Sequence, residues 1–153
     1  MINELFAIVK INDHRNSLHL TKLFVSLPDP TEERMDKLFD IWFLEEAFEF
    51  LRNLDKKHYE KILFNIRKAQ IEQDPEIFKK LKDDIWEFRT LYQGLNYRLL
   101  SFWDRTNQKN ILVVATHGFI KKRRKVPERE IQKAKQIRMK YFMDKERAKR
   151  KKK

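Results

Sequence analysis

The feature that most constrains this chain is residues 85–127, where three strand-like runs separated by two polar turns end in five consecutive cations. From Ile85 to Tyr92, the residues Trp86, Phe88 and Tyr92 fall on one side of an extended chain and Glu87 and Arg89 on the other, the period-two pattern of a half-buried strand. Gln93-Gly94-Leu95-Asn96 reads as a turn, because glycine supplies the positive φ that a tight hairpin needs. The second run, 97–103, and the third, 111–116, are separated by the polar stretch 104–110, so the spacing predicts an antiparallel meander. The chain leaves the third strand at His117-Gly118, and the basic run Lys121, Lys122, Arg123, Arg124, Lys125 is stopped by Pro127.

On either side the period changes. From Leu44, the residues Ala47, Phe48, Leu51 and Leu54 recur every three to four positions, and Glu45, Glu46 and Glu49 lie near the start, where negative charge suits the helix dipole. Asp55 is placed to cap a second helix with the stripe Tyr59, Ile62, Leu63, Ile66 and Ala69, and Pro75 disfavours helix at Asp74. The pattern predicts an antiparallel helix pair before the meander, with residues 76–84 as a connection. After the meander, Pro127 suits a first helical position and Glu128 and Glu130 a first turn, while Ile131, Ala134, Ile137 and Tyr141 form a narrow stripe to pack on the sheet. Past Met143 nothing remains to bury, so residues 144–153 are expected to fray or be disordered. At the other end, residues 4–11 and 18–27 flank a turn-like 12–17 and could pair as a hairpin, which Pro28-Asp29-Pro30 would end.

The net charge of +12 is unevenly placed: from Phe119 onward 17 Lys and Arg face 4 Asp and Glu, whereas the first 118 residues hold 18 against 19. Positive charge gathered on one part of a nearly neutral body points to a polyanion partner, most simply nucleic acid. A chain of 153 residues suits one domain, long enough to remove roughly 68–70% of its unfolded surface from water. Without cysteine it has no disulfide or thiolate site, which fits a reducing cytosol. No apolar run reaches the ~20 residues that span a bilayer, and no basic leader with a small-residue cleavage site opens the chain, so the expectation is a soluble, cytoplasmic protein. The basic tail lacks tryptophan and ends in near-pure charge, which disfavours a place on a membrane surface.

Chemistry has few places to reside. The histidines, His14, His19, His58 and His117, show no metal-ligand spacing, Gly94 and Gly118 make no phosphate loop, and no serine sits in a nucleophile elbow. What remains is a set of cations near the sheet, Arg89, Arg98, Lys121 and Lys122, with His117 beside them. Their plain structural role would be an Arg89–Glu87 pair across the solvent face and a solvated lysine run. His117 could move protons near neutral pH or serve as a hydrogen-bonded packing residue.

Several of these residues fall in motifs whose order and spacing agree over about residues 36–142: Lys79-Lys80-Leu81 leading into Ile85-Trp86-Glu87-Phe88-Arg89, then Asn96-Tyr97-Arg98-Leu99, then His117-Gly118-Phe119-Ile120-Lys121-Lys122 with Pro127, then Glu130-Ile131 with Ala134. Together they resemble the RelE/HigB-type toxins of bacterial toxin–antitoxin pairs, in the phage-derived host-inhibition branch. The resemblance implies an α+β, RelE/ParE-like fold: a small antiparallel sheet of four strands, the first within residues 37–43, with an N-terminal helical pair and a C-terminal helix. It divides the chain into an extension, residues 1–34, that is either an added hairpin or lies upstream of a true start at Met35; a toxin domain, 35–143; and a basic tail, 144–153.

The implied activity is metal-independent, ribosome-dependent cleavage of messenger RNA, with no cofactor, restrained by a cognate helix-turn-helix antitoxin. In such cleavage the 2′-hydroxyl attacks the adjacent phosphate, which calls for a proton acceptor, a proton donor for the leaving oxygen and fixed cations around the added negative charge. By the resemblance Arg98 would bind the scissile phosphate, Lys121 and Lys122 would share charge stabilisation and acid–base work, His117 would assist, and Arg89, Arg123, Arg124 and Lys125 would hold substrate. Two departures stand out. Arg123 and Val126 replace threonines common around the paired lysines, and Pro127, Glu128 and Arg129 stand where some relatives carry a tyrosine or histidine, so that Tyr141 or His117 would have to substitute or the cations act alone. Two other classes remain: a non-catalytic nucleic-acid- or ribosome-binding module, and a ParE-like topoisomerase poison on the same fold.

Overall fold

The alternation seen in the sequence becomes a sheet covered on both faces. The computed structural model describes residues 6–11 and 19–24, as backbone strands, and 37–108 and 111–152. In chain order the elements are β1 (Phe6–Ile11), β2 (His19–Phe24), β3 (Asp40–Phe43), α1 (Glu45–Arg52), α2 (Lys56–Ile71), β4 (Phe78–Lys82), β5 (Ile85–Tyr92), β6 (Leu95–Asp104), β7 (Leu112–Ile120) and α3 (Glu128–Lys151). β1 and β2 pair antiparallel, Phe6 opposite Phe24, as the expected hairpin. Its turn at 12–17, His14 and the Pro28-Asp29-Pro30 break lie outside the described residues.

The main sheet has the order β3-β7-β6-β5-β4. Strands β5, β6 and β7 form the expected antiparallel meander. The first hairpin is tighter than the sequence suggested: Tyr92 pairs with Leu95, leaving a two-residue turn in which both Gln93 (φ 48°) and Gly94 (φ 76°) are left-handed. That combination matches the right-handed twist of the flanking strands.

The α+β class agrees with expectation, but the sheet has five strands, not four, and is not wholly antiparallel. The segment read as a connection holds β4, paired with β5. Its apolar residues hid it: Phe78 and Leu81, three apart among lysines, pack on opposite faces, so neither face carries an apolar repeat, and a bulge between Lys80 and Lys82 interrupts the pairing. β3 runs parallel to β7, Asp40 opposite Leu112.

Side-chain parity divides the sheet between two cores. Phe88, Tyr97, Leu99, Val113 and Ala115 pack with Ala47, Phe48 and Leu51 of α1 and Ile62, Leu63, Ile66 and Ala69 of α2. Ile85, Leu100, Phe102 and Val114 pack with Ile131, Ala134 and Tyr141 of α3. α1 comes so close to β7 that a Cβ on Gly118 would fall within the ring of Phe50. α3 also continues to Lys151, where fraying past Met143 was expected. Good helix formers fill its end, ion pairs join Arg147 to Asp144 and Lys149 to Glu146, and Lys145 is tied to buried Asp104 and to Thr106.

Asp104 anchors this end of α3. Burial alone would raise its pKa, but hydrogen bonds from Lys145, Tyr141 and Thr106 together outweigh it and hold the carboxyl well below the usual range. A carboxyl depressed in the folded state contributes stability above its unfolded pKa of about 3.9 and loses it as pH falls through the folded value. Unfolding curves against pH should therefore show stability declining below about pH 4, and Asp104→Asn should lower stability at neutral pH while flattening part of that decline. Gly118→Ala is expected to cost about 1–3 kcal/mol through overpacking against Phe50, read as a fall in the denaturant midpoint without a change in slope.

Candidate functional site

On the α3 face of the sheet, cross-strand neighbours set two rows. Lys79 lies opposite Glu87, Glu87 opposite Leu100 and Leu100 opposite His117; in the next row Arg89 lies opposite Arg98 and Arg98 opposite Phe119. Lys121 follows at the end of β7, its backbone N–H donating to the Asn96 carbonyl at 2.7 Å. The meander's register alone thus gathers Lys79, Arg89, Arg98 and Lys121 around one carboxylate, Glu87.

Glu87 and Arg98 are each only 3% exposed. Arg98 Nε lies 3.2 Å from Glu87 Oε2, an ion pair bent away from hydrogen-bond geometry, while Arg98 Nη1 donates to its neighbour's carbonyl, Tyr97 O, at 2.9 Å. Arg89 Nε lies 3.7 Å from Glu87 Oε1, and Arg89 Nη1 reaches exposed Glu76 at 3.7 Å. The Arg89–Glu87 pair anticipated from the sequence is present, but Glu87 is buried and not on a solvent face. Burial, then repulsion from Arg98, pushes the Lys121 ammonium below its ordinary pKa; Arg89 and Lys79 add to this and Glu87 opposes it. Four cations against buried Glu87 and exposed Glu76 leave the cluster with a surplus of positive charge.

The expected site residues thus divide. Arg98, Arg89 and Lys121 are brought together, but Arg98 is covered where at least partial exposure was expected, because both faces of β6 are sheathed. Lys122, Arg123, Arg124 and Lys125 are exposed on the loop after β7, and Lys121 Nζ donates to the Arg124 carbonyl at 2.9 Å, folding that loop back on itself.

His117 stands apart. Two strands separate it from Glu87, roughly 10 Å, with Leu100 between. Its Nε2 faces Glu130 Oε2 at 2.8 Å and its Nδ1 the Thr116 hydroxyl at 3.0 Å. Burial pushes its pKa down, with Lys133 adding to that and Glu130 and Glu46 opposing. The neutral tautomer with Nε2–H donating to Glu130 ties β7 to α3 and leaves Nδ1 facing the Thr116 hydroxyl, whose one proton is contested by the Leu100 carbonyl at 3.2 Å. Tyr141, the other proposed substitute, gives its hydroxyl proton to Asp104 at 2.7 Å at the far end of α3.

Sequence reasoning set Glu87 aside as an ion-pair partner. What it missed was the burial, which its place beside Trp86 on a strand assigned one solvent face concealed.

Residues 49–147 match the family of proteins described as phage-derived protein Gp49-like (DUF891). The chain belongs to this family. The Gp49-like family is linked to RelE-like toxins of toxin–antitoxin systems, which gives the chain a toxin-like character and implies an antitoxin partner in general. No curated protein matches the chain in a sequence comparison. The matched region runs from α1 through most of α3 and includes every member of the cation cluster. No helix among the described residues is long and apolar enough to cross a membrane.

Truncating one partner of a buried ion pair leaves the other charge stranded, at a cost of about 3–5 kcal/mol. Arg98→Ala is expected to destabilise the Gp49-like domain by about that much, and in a urea titration Arg98→Ala with Glu87→Gln should cost less than the two changes summed.

Proposed function

We propose that this Gp49-like protein is the toxin of a toxin–antitoxin pair, a metal-independent, ribosome-dependent endonuclease of messenger RNA held inactive by a helix-turn-helix antitoxin. The observation that carries this is the excess of positive charge on one patch of the sheet: Arg89, Arg98, Lys79 and Lys121 converge on a single carboxylate and lie beside the exposed cations 122–125. A phosphodiester entering there would supply the missing negative charge. Arg98 and Arg89 would hold the phosphate as forks of donors, Lys121, its proton made more acidic by burial, would serve the leaving oxygen, and Lys122 to Lys125 would track the backbone. Family membership supports the toxin role, and the basic stretch from Phe119 onward supports a ribosomal or RNA partner.

A non-catalytic binding module draws on one observation of its own, the burial of Arg98, since a binder needs only the exposed cations. Translation of a message in a purified system, followed by primer extension, separates the two. New 5′ ends inside codons, seen only with ribosomes present, are expected. The double change Lys121→Ala, Lys122→Ala should reduce them at least 100-fold, since one lost stabilising donor typically costs on the order of 10²–10³ in rate, with little loss of fold because both side chains reach solvent. An intact message at saturating protein, with growth still inhibited, would move the function to the binding module or to a topoisomerase poison.

A further inference from the structure

Resting on the nuclease reading above, we propose that Glu87 is the group that takes the proton from the attacking 2′-hydroxyl.

The cluster contains four donors and two carboxylates, of which Glu76 is exposed and reaches Arg89 alone, whereas Glu87 meets both Arg89 and Arg98. Arginine cannot give up its proton in a protein, and ammonium groups have no lone pair, so Arg89, Arg98 and a protonated Lys79 or Lys121 can stabilise charge or donate but cannot accept. His117, the other base near this face, lies two strands away with both ring nitrogens occupied by Glu130 and Thr116. Glu130, Glu46 and Asp104 belong to the contacts of α1 and α3 with the sheet. Among the described residues the carboxylate at the centre of the cations is Glu87, and the charges that act on Lys121 are those of Arg98, Glu87, Arg89 and Lys79.

Its two oxygens are held unequally. Neither contact is a hydrogen bond: Oε2, buried, faces Arg98 Nε at 3.2 Å, and Oε1 faces Arg89 Nε at the longer distance of 3.7 Å. Oε1 is thus the freer acceptor, with both guanidinium groups placed to hold a phosphate against it. Lys121 lies within electrostatic reach of the pair. Its ammonium now donates to the Arg124 carbonyl, and a phosphate oxygen, being charged, is the stronger acceptor, so an entering phosphodiester would draw Lys121 to itself.

The proton balance then closes within the cluster. The 2′-oxygen forms its bond to phosphorus as its proton passes to Glu87 Oε1. The bond from phosphorus to the 5′-oxygen breaks as that oxygen takes a proton from the Lys121 ammonium. The products are a 2′,3′-cyclic phosphate and a 5′-hydroxyl, with a protonated Glu87 and a neutral Lys121 that exchange protons with water to reset.

The test uses the full-length protein, ribosomes and a message cut at a mapped position, with that linkage made once as the ordinary phosphodiester and once with sulfur in place of the bridging 5′-oxygen. A thiolate leaves without protonation. Glu87→Gln is expected to slow cleavage of both linkages at least 100-fold, whereas Lys121→Ala should be slow on the oxygen linkage and near wild type on the sulfur one. Glu87→Asp, which keeps the buried charge but withdraws the carboxylate by one methylene, should fold and still cut at least tenfold more slowly; it carries the test if Glu87→Gln proves unfolded by circular dichroism. Cleavage by the folded Glu87 variants within threefold of wild type, or a Glu87 defect that vanishes with the sulfur linkage, overturns the assignment. A message left uncut by the wild-type protein with ribosomes bound withdraws the nuclease reading, and this proposal with it.

Discussion

A strand sheathed on both faces has no side from which its polar residues can reach water, and this constraint on β6 shapes much of the molecule. Tyr97, Leu99 and Ser101 point towards the helix pair, and Arg98, Leu100, Phe102 and Asp104 towards α3; all are buried. The cost of burying a charge without a partner is high enough that each one must bring its own. Arg98 therefore meets Glu87 near one end of the strand, and Asp104 meets Tyr141, Lys145 and Thr106 at the other. The two clusters differ in sign balance. The Asp104 end is locally satisfied and serves to moor a helix, whereas the Arg98 end keeps surplus positive charge.

Much of the fold was legible because the meander obeys local rules: strand alternation, a glycine where a left-handed residue is required, and a change to helical period before and after. β4 was lost because its two apolar residues, Phe78 and Leu81, sit three apart among lysines and pack on opposite faces, so neither face shows an apolar repeat that period-two counting could register. The parallel pairing of β3 with β7 joins residues some seventy positions apart, and nothing in four residues of strand announces the direction of its partner. The helical continuation past Met143 was misjudged because apolar burial was taken as the requirement, when an ion pair to a buried aspartate supplies the anchor.

The site was legible in composition and not in exposure. Arg89, Arg98, Lys121 and Lys122 were picked out as a set with His117 beside them; the register gathers the first three and leaves Lys122 on the exposed loop. What a single sequence could not give is that Glu87 and Arg98 are buried, since that follows from the packing of distant elements on both faces of the sheet. His117 illustrates the same limit. In sequence it is four residues from Lys121; in space Phe119 and the turn of the strand carry it to the α3 side of the patch, where Glu130 and Thr116 occupy it.

Beyond Lys145 the last helix has no further contact with Asp104 or Thr106, and residues 146–151 extend about 9 Å along the helix axis. The distance over which dissolved salt blots out a charge is about 8 Å at physiological ionic strength. Apart from the ion pairs to Asp144 and Glu146 on the same helix, the cations at that tip are thus electrically remote from the acids of the body, and a polyanion arriving from that side meets a positive pole before it meets the nearly neutral remainder.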